Sequence, residues 1–218
     1  MIDIVTINKD NKEGLEKTIE SVINQTTFDE INYIIIDGAS TDGSKELIEQ
    51  YQDKLKYWQS EPDNGIYAAM NASLSHLEAP YALFLNSGDY LSTNDVIERC
   101  MPYLGDNYGI VYGDEYKVRP NGTRYIAKYP SKLDESFFQR TSLPHQSTFI
   151  RTDLLRKYKY SEEYKIISDW ILLRQITIED KLPYLHMPFI VSNYMLDGFS
   201  YRNVPLMKKE KEDFYKKS

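Results

Sequence analysis

Tyr81-Ala82-Leu83-Phe84-Leu85-Asn86-Ser87-Gly88-Asp89 is the stretch on which the fold turns. Its first five residues are continuously apolar, as expected of a strand buried on both faces in a parallel sheet. The run stops abruptly at small polar residues and a carboxylate. In open α/β sheets the ligand sits just beyond the carboxyl ends of the strands. Asp89 therefore stands where a metal ion or a diphosphate could meet it; the alternative is an ordinary polar turn.

Upstream, the same logic repeats. Residues 2–7 read as a first strand, and 12–25 carry Leu15, Ile19, Val22 and Ile23 at helical spacing. Residues 33–36 form a second buried strand closed by Asp37-Gly38, and a helix with Leu47, Ile48 and Tyr51 on one face follows Thr41-Asp42-Gly43-Ser44. A short strand over 55–59 and a helix over 65–77 lead into the 81–85 strand. Strand and helix alternating four times predict parallel strands joined by crossovers, a nucleotide-binding half of Rossmann type.

Downstream the rhythm changes. A helix is expected over 94–104, a strand over 109–114, and a hairpin pairing 116–118 with 124–129 around Pro120-Asn121-Gly122. A strand over 147–150 and a helix over 167–178 follow. Residues 183–195 hold two short strand candidates broken by Pro188, and 204–217 read as a charged amphipathic helix. The expected organisation is a nucleotide-binding half over 1–92, a second half of the same domain over 93–200, and a C-terminal helix over 201–218.

The 218 residues suit one domain, and 41% hydrophobic residues suit a globular one. A net charge of -7 argues against a nucleic-acid partner. The lone Cys100 excludes an internal disulfide, and no Cys/His zinc spacing occurs. No apolar run approaches the ~18–20 residues that span a bilayer, and the first residues enter a strand pattern without a leader. A cytoplasmic protein is expected, at most peripheral to the inner face of the membrane. The tail helix carries five lysines among Leu206, Met207, Phe214 and Tyr215, which could serve membrane contact; folding back on the domain or dimerising is the favoured reading.

Several acids lie where chemistry could use them. Asp37 can accept from a nucleobase imide or a ribose hydroxyl, or merely form an Asp-Gly turn. Asp42 reads as a helix cap. Asp63 sits between the third strand and the next helix, as cap or as ligand contact. Asp169 opens a helix in Ser168-Asp169-Trp170, as a dipole partner or as a general base. His145 lies in a polar loop, Pro144-His145-Gln146-Ser147. Asp114 follows a buried strand and is the reserve candidate for the base. No Gly-Lys-Ser/Thr phosphate loop occurs, which disfavours Walker-type ATP hydrolysis.

Taken in order, Ile35-Ile36-Asp37-Gly38-Ala39-Ser40-Thr41-Asp42-Gly43-Ser44, Asp63-Asn64-Gly65-Ile66-Tyr67-Ala68-Ala69-Met70-Asn71, Leu85-Asn86-Ser87-Gly88-Asp89, His145-Gln146 and Ser168-Asp169-Trp170 resemble the family 2 inverting glycosyltransferases with the GT-A fold. The resemblance covers roughly residues 1–200, and the Leu-Asn-Ser-Gly-Asp version is similar to bacterial enzymes of cell-surface polysaccharide synthesis. It implies an α/β GT-A fold, with a mostly parallel sheet between helices and a smaller mixed acceptor-side half. It also implies a nucleotide-sugar donor, most simply UDP-linked, a glycan or lipid-linked acceptor, and Mn²⁺ or Mg²⁺.

By the same resemblance Asp169 is the catalytic base and Asp89 the metal residue. Ile7, Asn8, Asp37, Asp63, Gly65 and Asn86 belong to the nucleotide site, and His145, Gln146, Asp114 and Trp170 to the acceptor side of the cleft. One departure stands out: Asn86 and Gly88 occupy positions where the commoner form of the motif has carboxylates, which implies weaker metal binding. The rival readings are a catalytically silent sugar-nucleotide binder, a sugar nucleotidyltransferase, which would need a basic glycine-rich loop that Thr6–Asn11 does not supply, and a structural partner in a polysaccharide assembly complex, suggested by the tail and the 19 tyrosines.

Overall fold

In the computed structural model, which describes residues 1–217, the first half follows the expected alternation. Strand β1 (Ile2–Asn8) leads to helix α1 (Lys12–Ile23), β2 (Ile31–Asp37) to α2 (Ser44–Gln50), and β3 (Tyr57–Ser60) to α3 (Ile66–Ser73), before β4 (Tyr81–Phe84). β1, β2 and β4 are buried at every residue. The cause is the layering: successive side chains point to opposite faces, and each face is covered. Val5, Ile7, Ile34, Ile36 and Phe84 enter one core, whereas Ile2, Ile4, Tyr33, Ile35 and Leu83 enter the other.

The chain continues through β5 (Tyr90–Leu91), α4 (Val96–Cys100), β6 (Ile110–Val118), β7 (Arg124–Ala127), α5 (Glu135–Arg140), β8 (Thr148–Arg151), α6 (Thr152–Tyr158), α7 (Ser168–Arg174), β9 (Tyr184–Met195), α8 (Phe199–Arg202) and α9 (Val204–Lys217). All the strands join one sheet in the order β3-β2-β1-β4-β8-β6-β9-β5, with β7 paired to β6. β1 to β4 are mutually parallel; β8 runs antiparallel between β4 and β6, so β6 and its parallel neighbour β9 point the same way as β1 to β4. This is the expected α/β architecture, with the mixed half grown onto the parallel half without a break.

Three expectations need correction. The segment 183–195 is not two short strands but one, β9, pairing with β6 along its length. Pro188, which has no N–H to donate, falls inside a register slip: Gly113 pairs with Met187 and Asp114 with Ile190, so Pro188 and Phe189 bulge out of the ladder. The strand over 109–114 and the first arm of the hairpin are likewise one strand, β6. The expected helix over 167–178 is α-helical only to Arg174, and Gln175–Glu179 widen into a π-helical turn.

The tail folds back. Leu206, Met207 and Phe214 of α9 pack against the core. Glu210 accepts from the backbone N–H groups of Lys165 (2.8 Å) and Ile166 (3.0 Å). Ser218, the last residue of the expected C-terminal helix, lies outside the described residues. No helix among the described residues is long and apolar enough to cross a membrane.

Candidate active site

Because β1, β2, β3 and β4 are parallel, their carboxyl ends share one edge of the sheet. The register places Asn8, Asp37 and Ser60 side by side at that edge. Asp37 is fully buried and engaged from all sides. Its Oδ1 accepts from Asn8 Nδ2 (2.7 Å) and Ser40 Oγ (2.5 Å), and its Oδ2 from Ser60 Oγ (2.6 Å) and Ser40 N (2.9 Å). Burial alone would raise its pKa, but these bonds from Ser40, Ser60 and Asn8 outweigh it and hold the carboxylate below its usual range. Asp37 therefore ties the ends of three strands together.

Asp63, by contrast, is exposed. Its Oδ1 accepts from Gly65 N (2.9 Å), and a β-carbon on Gly38 would stand 2.5 Å from its Oδ2. Gly38 thus lets the carboxylate lie close over the end of β2. Gly65 has φ +113°, which glycine adopts without strain, at the start of α3. Asp42, expected as the helix cap, lies one residue before the N-cap Gly43 and accepts from Ser44 N, the first residue of α2, and from Lys12 N.

The turn after β4 is held from both sides. Ile7 O accepts from Ser87 N (3.1 Å), and Asn11 Nδ2 donates to Ser87 O (3.0 Å). Gly88, at φ +104°, brings Asp89 back under the turn, where Asp89 Oδ1 accepts from Met195 N (2.9 Å) at the end of β9. Asp89 is 6% exposed. Burial pushes its pKa up to about 7; the nearby His145 and the Met195 N–H pull it down, and Glu115 and Asp197 push it up.

Across the edge, α7 presents Asp169 on its first turn. Asp169 Oδ2 lies 3.5 Å from His145 Nδ1, and Oδ1 lies 3.0 Å from the hydroxyl of Tyr67 on α3. Tyr67 Oη is closer still to Ile166 O, at 2.5 Å. His145 Nε2 in turn is 3.3 Å from Asn86 Nδ2. With Asn86 donating, the neutral ring keeps its proton on Nδ1, facing Asp169. Burial would lower the His145 pKa, but the bond to Asp169 and the charges of Asp169, Asp89 and Glu115 raise it. The Asp169 side chain remains 19% exposed, so an incoming hydroxyl can reach it. Asn86, His145 and Asp169 thus form one chain from the β4 turn to the N-terminus of α7.

Gln146, 3% exposed, donates from Nε2 to Glu115 Oε2 (2.5 Å), and Tyr129 donates its hydroxyl to Glu115 Oε1 (2.7 Å). Burial raises the Glu115 pKa against the pull of Tyr129, Lys117 and His145. Two expected cleft residues sit elsewhere. Trp170, 1% exposed, is in the core with its indole N–H donating to Phe138 O (2.8 Å); it follows Asp169 by one residue, 100° further round the helix. Asp114 is tied to His186 Nε2 (3.0 Å) and Tyr129 N (2.9 Å) and does not join the Asp169 network. Glu115, its neighbour, takes the place near His145.

The residues not anticipated are Tyr67, Glu115, Tyr194 and Lys211. Glu115 carried the clearest signal, an acid continuing a run of strand residues. Burial raises Tyr194 to about 12, with Asp89, Glu115 and Asp169 also acting on it. Lys211 of α9 lies 4.6 Å from the Trp170 ring centroid and donates to Phe138 O (3.2 Å); burial lowers it to about 8, and the charge of Asp169 opposes that shift.

A divalent cation has limited protein support here. No group of three or more His, Cys, Asp or Glu side chains that could hold a metal occurs among the described residues. Yet Asn8 Oδ1 and Asn86 Oδ1 are buried acceptors without a partner, at the ends of β1 and β4, and buried acceptors of this kind are normally satisfied. One carboxylate and amide oxygens fit a hard cation that takes its remaining ligands from phosphate and water.

A mostly parallel α/β sheet with Asp37 and Asp89 at its strand ends and a histidine-linked Asp169 beside them has the architecture of the GT-A fold. The chain belongs to glycosyl transferase family 2, whose family model matches residues 2–178. It is 29% identical over 171 residues to an uncharacterized glycosyltransferase of Mycobacterium tuberculosis, covering 77% of this chain and 65% of that protein. It is 26% identical over 186 residues to a PGL/p-HBAD biosynthesis glycosyltransferase of Mycobacterium bovis, covering 83% and 71%. Its fold is similar to that of S. aureus TarS 1-349 in complex with UDP-GlcNAc (TM-score 0.73, 16% identity, 93% of this chain and 60% of that one). The fold is also similar to a mannosyltransferase from Pyrobaculum calidifontis in complex with GDP-Man and Mn²⁺ (TM-score 0.71, 12% identity, 92% and 58%).

Proposed function

We propose that the protein is an inverting glycosyltransferase that moves a sugar from a nucleoside-diphosphate donor to a glycan or lipid-linked acceptor in cell-surface polysaccharide synthesis. The observation that carries this reading is Asp169: a partly exposed carboxylate, fixed by His145 and Tyr67, and linked through His145 to Asn86 of the turn that carries Asp89. In this reading the base and ribose lie against the ends of β1 to β3, beside Asp63, with Asp37 holding that wall rigid. UDP is the favoured nucleotide, since the TarS complexes carry UDP and UDP-GlcNAc, although GDP-Man in another neighbour keeps GDP in the panel.

The acceptor hydroxyl oxygen attacks the anomeric carbon from the face opposite the diphosphate. Its proton passes to Asp169, the bond from the anomeric carbon to the diphosphate oxygen breaks, and the electron pair stays on that oxygen. Inversion follows from the single displacement. His145 orients the carboxylate, and Tyr67 restricts its rotation. Asp89 and Asn86 would hold Mg²⁺ or Mn²⁺ against the diphosphate, where such an ion offsets the charge that builds on the leaving group.

The test is release of the nucleoside diphosphate from a panel of UDP-, GDP- and other nucleotide-linked sugars, with and without Mn²⁺, in the presence of candidate lipid and glycan acceptors. Donor-specific release that disappears in Asp89→Ala supports the reading. Binding of a donor with no transfer under any acceptor would favour the silent-binder alternative.

A further inference from the structure

Away from the strand edge lies a groove of about 460 Å³ between α4, the β6–β7 hairpin and the bulge of β9. Arg99, Arg124 and Lys128 line it together with Tyr116 and Phe189, and Asp114 forms part of its wall. None of Asp37, Asp63, Asp89, His145 or Asp169 borders it. Arg124 is centred 4.1 Å from the Tyr116 ring and Arg99 4.5 Å from the Phe189 ring. A guanidinium resting on a ring keeps its N–H edge available for a second partner.

The three cations are exposed, and among the described residues none is within ion-pair distance of a carboxylate. Asp114, in the groove wall, is bonded to His186 and Tyr129; Asp95 accepts from Thr93 Oγ1, and the charge of Arg99 also acts on it. Three cations lining one concave site without a salt-bridge partner among the described residues, on a chain of net charge -7, create a local field that attracts an anion. The bulge builds the groove: expelling Pro188 and Phe189 from the ladder supplies the wall on which Arg99 rests.

We propose that this groove is a second binding site, for an oxyanion-bearing stretch of glycan whose phosphate or carboxylate groups pair with Arg99, Arg124 and Lys128. That the occupant is a glycan rests on the glycosyltransferase reading; that the groove binds oxyanions does not. The concave shape, with Ile126 and Pro188 beside the two guanidinium-covered rings, suits a threaded chain whose anionic groups meet the guanidinium edges. The groove's separation from the strand edge would let an acidic polymer be held while its end is extended elsewhere.

The experiment is an amide chemical-shift titration of the whole protein, in EDTA and saturating UDP, with three probes: inorganic phosphate, trigalacturonate, and a neutral galactose trimer. Shifts confined to 92–99, 114–128 and 189–190 with phosphate and trigalacturonate, weakened about fivefold in Arg124→Gln or Lys128→Gln and suppressed by salt, support the proposal. A stronger response to trigalacturonate than to phosphate supports a glycan occupant. A response to phosphate alone keeps the oxyanion site, overturns the glycan assignment and leaves the glycosyltransferase reading untouched. No shift, shifts at the strand edge, equal binding of the neutral trimer, or unchanged affinity in both variants would overturn the site. So would Arg124-dependent binding to phosphatidylglycerol vesicles without any response to the soluble anions. The variants lie on the exposed hairpin, and an unchanged melting temperature shows that they fold.

Discussion

At the scale of single residues, Asp169 separates two roles that one substitution can tell apart. Asn has the same shape and keeps an oxygen for Tyr67, but it cannot take a proton. Asp169→Asn is expected to retain the fold and nucleotide affinity while losing transfer by about 10²-fold or more, a barrier of at least ~2.7 kcal/mol. Steady-state transfer rates and calorimetry with the nucleotide check it, and transfer within a few-fold of the parent would place the base elsewhere. Asp89 makes a different prediction. Its carboxyl is raised in the fold to about 7 from an ordinary value of 3.8, so the folded state binds the proton more tightly than the unfolded chain does. The stability tied to that proton is fully present below about pH 4 and is lost as the pH rises towards 7. In the absence of metal, Asp89→Asn keeps an acceptor for Met195 N and loses this dependence. It should be more stable than the parent above pH 7, by on the order of 1–4 kcal/mol, with the difference closing by about pH 4. Urea titrations at a series of pH values read this directly, and a pH-independent difference would show that Asp89 does not carry the shifted proton.

At the scale of elements, α9 acts as a brace for the loop that delivers α7. Glu210 accepts the N–H groups of Lys165 and Ile166, and Ile166 O in turn accepts the Tyr67 hydroxyl that borders Asp169. Glu210→Ala leaves two amide groups without acceptors and should lower stability by about 2–3 kcal/mol; Glu210→Gln, which keeps one oxygen, should cost less. Denaturant midpoints measure the loss, and faster hydrogen exchange at Lys165 and Ile166 locates it. This brace also shows where sequence reading stops. β1, β2 and β4 are legible because strands covered on both faces must be apolar throughout, and the Asp, Gly and Asn residues that end them mark the edge. β9 is not, because whether Pro188 breaks a strand or is expelled from it depends on its pairing with β6. Asp169 and His145 could be singled out one by one, but Tyr67, Glu115 and Lys211 join them from three other elements, and local spacing records no contact across the sheet. Trp170 shows the converse: it follows Asp169 in sequence, but one residue is a rotation of about 100° on a helix, and its side chain is in the core.

At the scale of the whole molecule, one continuous sheet carries both sides of the cleft, so ligand binding at the parallel edge must be felt by the mixed half. Asp89 lies after β4 yet is bonded to the end of β9, and Asn86, in the same turn, reaches His145, which lies ahead of β8. A nucleotide seated at the edge would offer ribose or base donors to the unpartnered oxygen of Asn8, and a cation would be held by that of Asn86 and favour the ionised form of Asp89. Stabilisation should therefore be larger for nucleotide and Mn²⁺ together than for the sum of each alone, because each improves the site for the other. At a hundredfold excess over the dissociation constant, about 2.7 kcal/mol is expected, which for a chain of this size is a rise in melting temperature of roughly 5–10 °C. Thermal shift with UDP, GDP and CDP, each with and without Mn²⁺, reads this cooperativity, and the nucleotide giving the largest joint shift identifies the donor class. Asp89→Ala should reduce the joint shift to that of the nucleotide alone. Strictly additive shifts, or a full shift retained in that variant, would mean that the cation and the diphosphate do not meet at Asp89.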